Sequence, residues 1–293
     1  MISILSLVYN HERYLDAFFE GILSQKLEEK YELIIGVDKS DDKSLEICLS
    51  ISNKYPEKIK VIQHDVRMGM SNNFLAVHAE CKGEFIAICE GDDYWIDDRK
   101  LQKQLDLLLK NKGAALCFTN IEVYEEEEEV FQKNWANIEK DLYYVDDVIK
   151  VNPISFCSVM FRNTFNSFSE AFAKLPMLDW PLYIHLLMTG YAIYLPDITA
   201  VYRRSYISSY SKNSILQQLE KKSSVYEYLI QEKALASKMQ QVNLAYHLNL
   251  YAIAIRLPEK NYRRTAMLRQ VGWYSLKKAN ATLMVKSIFK RII

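Results

Sequence analysis

The chain has 293 residues, 49% hydrophobic and 25% charged, with 37 basic and 37 acidic residues. That composition excludes a wholly disordered chain and a disulfide-stapled miniature domain, and it suits one large domain with an appendage. Eight glycines, six prolines and 20 tyrosines favour regular structure and aromatic surfaces over long flexible loops.

The opening "MISILSLVYNHERYL" lacks a basic lead and a small-residue cleavage site, and its apolar run is too short to span a bilayer. A cytoplasmic location is the expectation. Ile2 to Val8 reads as a buried strand, and Leu15, Phe18, Phe19, Ile22 and Leu23 follow at helical spacing. "YELIIGV" is a second strand. Asp41 and Asp42 open a helix with Leu45, Cys48 and Leu49 on its inner face, and "IKVIQH" is a third strand. Asn72 to Cys81 continues as helix, "EFIAIC" is a fourth strand, and Asp97 or Asp98 caps a helix carrying Leu101, Leu105, Leu108 and Leu109. This alternation predicts an α/β fold, a mostly parallel central sheet flanked by helices.

Past "AALCFTNI", the run Glu125 to Glu129 reads as a solvated turn or hairpin tip, because like charges repel and stay wet. "SFCSVMFR", "YAIYL" and "ITAVYRR" look like three further strands, with "LDWPLYIHLLMTG" as a loop entering a helix at Pro181. From about Asn213 the pattern is helical, so the chain divides into a catalytic-size domain, 1–210, and a helical basic region, 211–293. The five cysteines form no C-x-x-C pair and read as reduced core thiols. From Arg256 onward ten basic residues face one acid, Glu259, so the balanced net charge hides a tail of +9.

Ligands of open α/β sheets bind beyond the carboxyl ends of the strands. Here those ends read "VYNHE", "VDKSDD", "HDVRMGMSNN" and "CEGDD", a convergence of polar and acidic groups. Within "EGDD", Gly91 permits a turn, and Glu90 and Asp92 can aim oxygens at one point, as a hard cation such as Mg²⁺ or Mn²⁺ requires. The same spacing also suits carboxylates that only shape a turn. No P-loop or G-x-G-x-x-G follows the first strand, so a bound phosphate needs a metal or basic side chains, with Arg67, Arg203 and Arg204 as candidates. His78 and His185 read as structural, whereas His11 and His64 sit at strand ends.

"ILSLVYNHERYL", "YELIIGVDKSDDKSLEIC", "GEFIAICEGDDYWIDDRKLQKQ" and "MLDWPLYIHLLMTGYAIYLPDITAVYR" occur in the order, and with the residues, of one family. From about Ser3 to Arg203 the chain resembles the inverting family-two glycosyltransferases of the GT-A fold. The resemblance implies a nucleotide-binding half over 1–95 and an acceptor-binding half over 96–210. Tyr9 and Glu12 would border the nucleotide base, Asp38 would hydrogen-bond the uracil or its equivalent, and Asn73 would lie near the ribose or diphosphate. Glu90 and Asp92 stand at the family's Asp-x-Asp, with Asp92 the direct metal ligand and Glu90 nearer the ribose. Asp179 stands at the catalytic base, although by position alone a helix N-cap ahead of Pro181 would be the preferred reading. Ser205 replaces a histidine that the family often has near the diphosphate, which turns attention to Arg203 and Arg204.

The expectation is a metal-dependent inverting transferase using Mn²⁺ or Mg²⁺. It would move a sugar from a nucleotide donor, a uridine one, to a glycan or lipid-linked acceptor for a bacterial surface polysaccharide. A sugar-phosphate nucleotidyltransferase is the enzyme alternative, and a non-catalytic nucleotide-sugar-binding partner subunit the other. For the basic tail, contact with an anionic membrane surface stands beside packing on the catalytic domain or on a second copy in a homodimer, and nucleic acid is not expected.

Overall fold

The computed structural model describes residues 1–133, 138–164, 168–204 and 213–277. Ser205 and the last sixteen residues of the basic tail lie outside them. The chain divides into two compact units, Met1–Ser208 and Ser209–Ile293.

The first unit begins with β1 (Ile2–Val8), α1 (Leu15–Leu23), β2 (Tyr31–Val37), α2 (Ser44–Lys54), β3 (Ile59–Gln63), α3 (Gly69–Glu80) and β4 (Phe85–Ile88). It continues with β5 (Tyr94–Trp95), α4 (Lys100–Lys110), β6 (Ala114–Glu125), β7 (Val130–Lys133), β8 (Leu142–Tyr143), α5 (Val145–Val148), β9 (Val159–Arg162), α6 (Glu170–Ala173), α7 (Asp179–Leu187) and β10 (Tyr191–Arg204). The sheet runs β3-β2-β1-β4-β9-β6-β10-β5, with β7 on β6 and β8 on β10. β1 pairs parallel with β2 and β4, and β2 with β3. β9 then runs antiparallel to both β4 and β6, while β10 lies parallel to β6. Every residue of β1 is buried, Ser3 and Ser6 included, as expected of a central parallel strand covered on both faces. Leu15, Phe18, Phe19 and Ile22 of α1 pack into the same core.

Several elements differ from the sequence expectation for local reasons. Leu49 and Leu109 are exposed, since each follows a buried position, Cys48 and Leu108, by one residue and so turns about 100° away from it. "YAIYL" and "ITAVYRR" are one strand, β10, whose register against β6 shifts between Leu195 and Ile198. Pro196, which lacks a ladder donor, falls within that irregularity. α7 begins at Asp179, two residues before Pro181, a placement the first turn tolerates because its amides have no intrahelical acceptor. "SFCSVMFR" starts as a 3₁₀ turn, Phe156–Ser158, before β9. Neither Asp97 nor Asp98 is the N-cap of α4: Asp97 Oδ1 accepts the Arg99 amide at 2.8 Å in the preceding turn, and Asp98 pairs with Lys26. All five cysteines are buried and unpaired.

The second unit contains α8 (Ile215–Gln231), a 3₁₀ stretch Lys233–Lys238, α9 (Met239–Ala254) and α10 (Tyr262–Lys277). Ser214 caps α8 by a capping box with Gln217. Among the described residues no helix is long and apolar enough to cross a membrane.

The close approach of α3 to β2 depends on Gly36. A β-carbon there would lie 2.0 Å from Asn73 Oδ1 and 2.4 Å from Val77 Cγ2. Asn73 uses that space to donate to the Gly36 carbonyl at 2.8 Å while its Oδ1 meets His64 Nε2 at 3.0 Å. Gly36→Ala is therefore expected to cost about 2–4 kcal/mol in urea denaturation. An unchanged midpoint would show that α3 can shift freely.

Candidate active site

The site forms where the loops after β1, β2, β3 and β4 meet. The first two loops are fastened together by reciprocal hydrogen bonds. Asn10 takes a positive φ of 55°, which asparagine tolerates, and its Oδ1 accepts the Asp41 amide at 2.9 Å. The Ser44 hydroxyl accepts the His11 amide, Asp42 accepts the Glu12 amide, and Glu12 Oε2 accepts the Lys43 amide at 2.8 Å. Glu12 is thus exposed, with one oxygen committed to the neighbouring loop. Tyr9 is half-buried beneath the Arg67 guanidinium, 4.3 Å from its ring centroid, a cation–π contact that joins the first loop to the third.

Asp38 is buried, and its carboxylate organises the loop that starts α3. Oδ1 accepts the amides of Lys39 (2.9 Å) and Met68 (2.7 Å), and Oδ2 accepts that of Gly69 (2.8 Å). Gly69 has a φ of +76°, so glycine suits that turn. A carboxylate offers about four acceptor positions, and three are already used here. Asn73 is buried with its amide spent on Gly36 and His64, a brace between β2 and α3 rather than a group held out for a ligand.

The carboxylate cluster follows β4. The Gly91 amide continues the β1 pairing by donating to the Leu7 carbonyl at 2.9 Å. A β-carbon at Gly91 would meet His11 Nδ1 and Val8 Cγ2, each at 2.8 Å, so close approach is what demands glycine there. Glu90, Asp92 and Asp93 each offer an oxygen within 4.8 Å of the others. His11 Nε2 stands 3.8 Å from Asp92 Oδ2. Asp93 is buried; its Oδ1 accepts the Arg203 amide at 2.9 Å, and its Oδ2 has no partner. Burial first, and then the charge of neighbouring carboxylates, push Glu90 and Asp93 well above the usual carboxylate range. Three mutually repelling carboxylates and an orphan oxygen fit a hard divalent cation, which would take oxygen ligands and offset the repulsion.

The turn that carries these groups rests on buried polar bonds. Trp95 Nε1 donates to the Cys157 carbonyl at 2.9 Å, and the ammonium of Lys100 lies 4.6 Å from the Trp95 ring centroid. Gln104 bonds the Lys100 ammonium and the carbonyls of Cys117 and Ser158. Lys100 is fully buried, and desolvation lowers it to about 8.

Asp179 starts α7 and contributes to the potential at Glu90, which places the two carboxylates in one electrostatic neighbourhood. The residue is half-buried, with protein packed around its carboxyl. Burial raises its carboxyl to about 6, against opposing hydrogen bonds that include Asn152 Nδ2 to Oδ2 at 2.8 Å. One helical turn on, Tyr183 is completely buried, its hydroxyl has no partner, and burial followed by the Asp179 charge raises its pKa.

Arg203 is half-buried among three tyrosine rings, 4.5 Å from that of Tyr94, 5.3 Å from Tyr14 and 5.8 Å from Tyr124. Arg204 pairs instead with Glu125 at 2.7 Å. Glu90, Asp92 and Asp93 therefore form the acidic centre, the Arg203 amide bonds Asp93, and Asp179 adds its charge to the field at Glu90. Tyr9, Glu12 and Asp38 belong to the loops beside it, and Asn73 to α3. Sequence reasoning missed Asn152 and Tyr183. For Tyr183 the available signal was its i,i+4 spacing from Asp179; for Asn152 there was none.

The fold is that of the GT-A class of sugar transferases. The chain belongs to glycosyl transferase family 2, whose family model matches residues 3–168. An uncharacterized protein of Mycobacterium tuberculosis is 33% identical over 207 residues, 69% of this chain and 58% of the relative. The chain thus spans under two thirds of that relative's length. A UDP-Glc:alpha-D-GlcNAc-diphosphoundecaprenol beta-1,3-glucosyltransferase of Escherichia coli is 28% identical over 123 residues, 42% of this chain and 46% of the enzyme. The mannosyltransferase PcManGT of Pyrobaculum calidifontis, solved with GDP-Man and Mn²⁺, superposes with a TM-score of 0.62 at 14% identity, covering 97% of this chain and 83% of that one.

The raised carboxyl of Asp179 has a thermodynamic consequence. A folded-state value of about 6 against an ordinary 3.8 means that the folded chain binds this proton more tightly than the unfolded chain. Ionisation of Asp179 therefore lowers stability as pH rises through about 6. Asp179→Asn is expected to raise the melting temperature at pH 8, by no more than about 3 kcal/mol in stability, with little gain at pH 4. A gain that is equal at both pH values would contradict burial as the cause.

Proposed function

We propose that the chain is an inverting, metal-dependent glycosyltransferase. In this reading it moves a sugar from a nucleotide donor, a uridine one, to a hydroxyl of a glycan or lipid-linked acceptor in bacterial surface-polysaccharide assembly. The observation that carries the proposal is Asp179: a desolvated but accessible carboxylate in the neighbourhood of the Glu90–Asp92–Asp93 cluster. A general base works best when its pKa lies near the working pH, and burial brings Asp179 toward that range. The surface-glycan assignment and the uridine donor are supported by family membership and by the similarity to the Escherichia coli glucosyltransferase.

In this reading Asp179 takes the proton of the acceptor hydroxyl as that oxygen bonds to the anomeric carbon. The bond from that carbon to the nucleoside diphosphate breaks on the opposite face, and configuration inverts. Asn152, bonded to Asp179 Oδ2, fixes the orientation of the base. Asp92 and Glu90 would hold Mn²⁺ or Mg²⁺, and the unpartnered Oδ2 of Asp93 adds a further oxygen. When bound, the cation supplies positive charge against the diphosphate. Tyr9, with Arg67 across its ring, and Asp38, with one acceptor position left, would form the wall for the base. Glu12 would border that wall from outside. Asn73 acts there as the brace that holds α3, and Arg203, held against the tyrosines, would supply positive charge near the diphosphate.

With donor and acceptor supplied, turnover should release nucleoside diphosphate; release of pyrophosphate would identify a nucleotidyltransferase instead. Asp179→Asn should lower kcat by at least about 10²–10⁴-fold while donor binding persists. Unchanged turnover would remove the assigned base. The wild-type rate should fall as pH drops through about 6, where Asp179 takes up its proton. Asp92→Asn should abolish calorimetric Mn²⁺ binding that the wild type displays, and undiminished binding would move the metal elsewhere.

A further inference from the structure

The helices of the second unit include a surface that the transfer chemistry does not use. α10 packs on α9, where the Tyr274 ring stacks on His247 with centroids 4.0 Å apart and Val271 is buried. At about 100° per residue, Tyr262, Ala266, Arg269 and Trp273 fall in one narrow stripe on the side opposite Val271. All four are exposed, Tyr262 to 82% and Trp273 to 70%. Two large aromatic side chains facing solvent, with an arginine between them, are an uncommon arrangement for a surface that meets only water.

The charge of this helix has one sign. α10 contains Arg263, Arg264, Arg269 and Lys277 and no acidic residue. Arg263 is committed to Glu220 at 2.7 Å, and Arg264 donates to the Leu257 carbonyl at 3.4 Å. Arg269 forms no ion pair with any described residue. In sequence the run continues through Lys278, Lys286, Lys290 and Arg291 without an acid.

We propose that the Tyr262–Arg269–Trp273 face of α10 docks this protein on an anionic lipid bilayer, the helix lying in the headgroup region without crossing it. Tyrosine and tryptophan, apolar bodies with a polar tip, partition to that boundary, and arginine is drawn to anionic headgroups. Over its described residues the helix is not long and apolar enough to span. A second copy is a poor occupant, because a two-fold contact through α10 would bring together two helices that carry Arg263, Arg264, Arg269 and Lys277 and no acid. The docking stands independently of the transfer reaction, and its use would be to hold the chain where lipid-linked acceptors are found.

The test is sedimentation of the full chain with vesicles of phosphatidylcholine alone and of phosphatidylcholine mixed with phosphatidylglycerol, at low and high salt. The expected result is binding to the anionic vesicles only, weakened by salt. Arg269→Gln should weaken it about fivefold, the worth of one basic residue near such a surface. The double variant Tyr262→Ser, Trp273→Ser should weaken it further, while the melting temperature and any turnover with a water-soluble acceptor stay as in the wild type. Loss of turnover with vesicle binding intact would count against the proposed reaction alone. Equal binding to both vesicle types, or full binding by the double variant, would overturn the docking. So would a concentration-dependent dimer that Trp273→Ser abolishes while vesicles are ignored, or retention of single-stranded RNA in place of vesicles.

Discussion

Carboxylates crowded at the end of β4 impose the constraint around which the first unit is organised. Glu90, Asp92 and Asp93 repel one another within a few ångströms, and Asp179 adds its field from α7. Left to itself, such a cluster would move apart into water or take up protons. Here the surrounding structure opposes the first of these, and the raised proton affinity of Glu90 and Asp93 expresses the second. Gly91 lets the loop press against Val8 and His11, the Arg203 amide holds Asp93, and Trp95 pins the adjoining strand to the Cys157 carbonyl. Held together in this way, the carboxylates favour any positive charge, a proton or a cation, that reaches them.

Polar groups inside the protein carry much of this support. Lys100 and Gln104 are fully buried below the site, yet neither is in a position to reach a substrate. They satisfy one another and the carbonyls of the turn carrying Cys157 and Ser158. Asn73 does comparable work between α3 and β2, and Asp38 shapes the turn into α3. A satisfied buried network of this kind specifies one arrangement, because any slip leaves a donor or acceptor unpaired in a low-dielectric interior. Asp93 Oδ2 and the Tyr183 hydroxyl, by contrast, are buried without a hydrogen-bond partner.

Polar positions in the motif stretches thus separate into two kinds. In "EGDDYWIDDRKLQKQ" the acids look alike on paper, but Asp97 organises a turn, Asp98 pairs with Lys26, and Asp93 accepts the Arg203 amide with one oxygen and leaves the other in the cluster. Asn73 and Asp38 look like ligand contacts by position, yet most of their hydrogen-bonding capacity is used within the protein. Tertiary bonding, which single-chain spacing does not encode, distinguishes a group that supports the site from one that faces it.

What the sequence determined by itself was periodicity and local chemistry. The alternation of buried strands with amphipathic helices, the acidic ends of the strands and the break before the C-terminal helices are all written in neighbouring residues, because strand and helix periods are local. The order of motifs carried the family for the same reason. Only tertiary structure decided that β9 enters the sheet antiparallel between β4 and β6, that β10 is one strand bulged near Pro196, and that Asn152 reaches Asp179 from 27 residues away. It also decided that Asp179 is buried enough to shift its proton affinity, since desolvation depends on every element packed around the carboxyl and on no single stretch of chain.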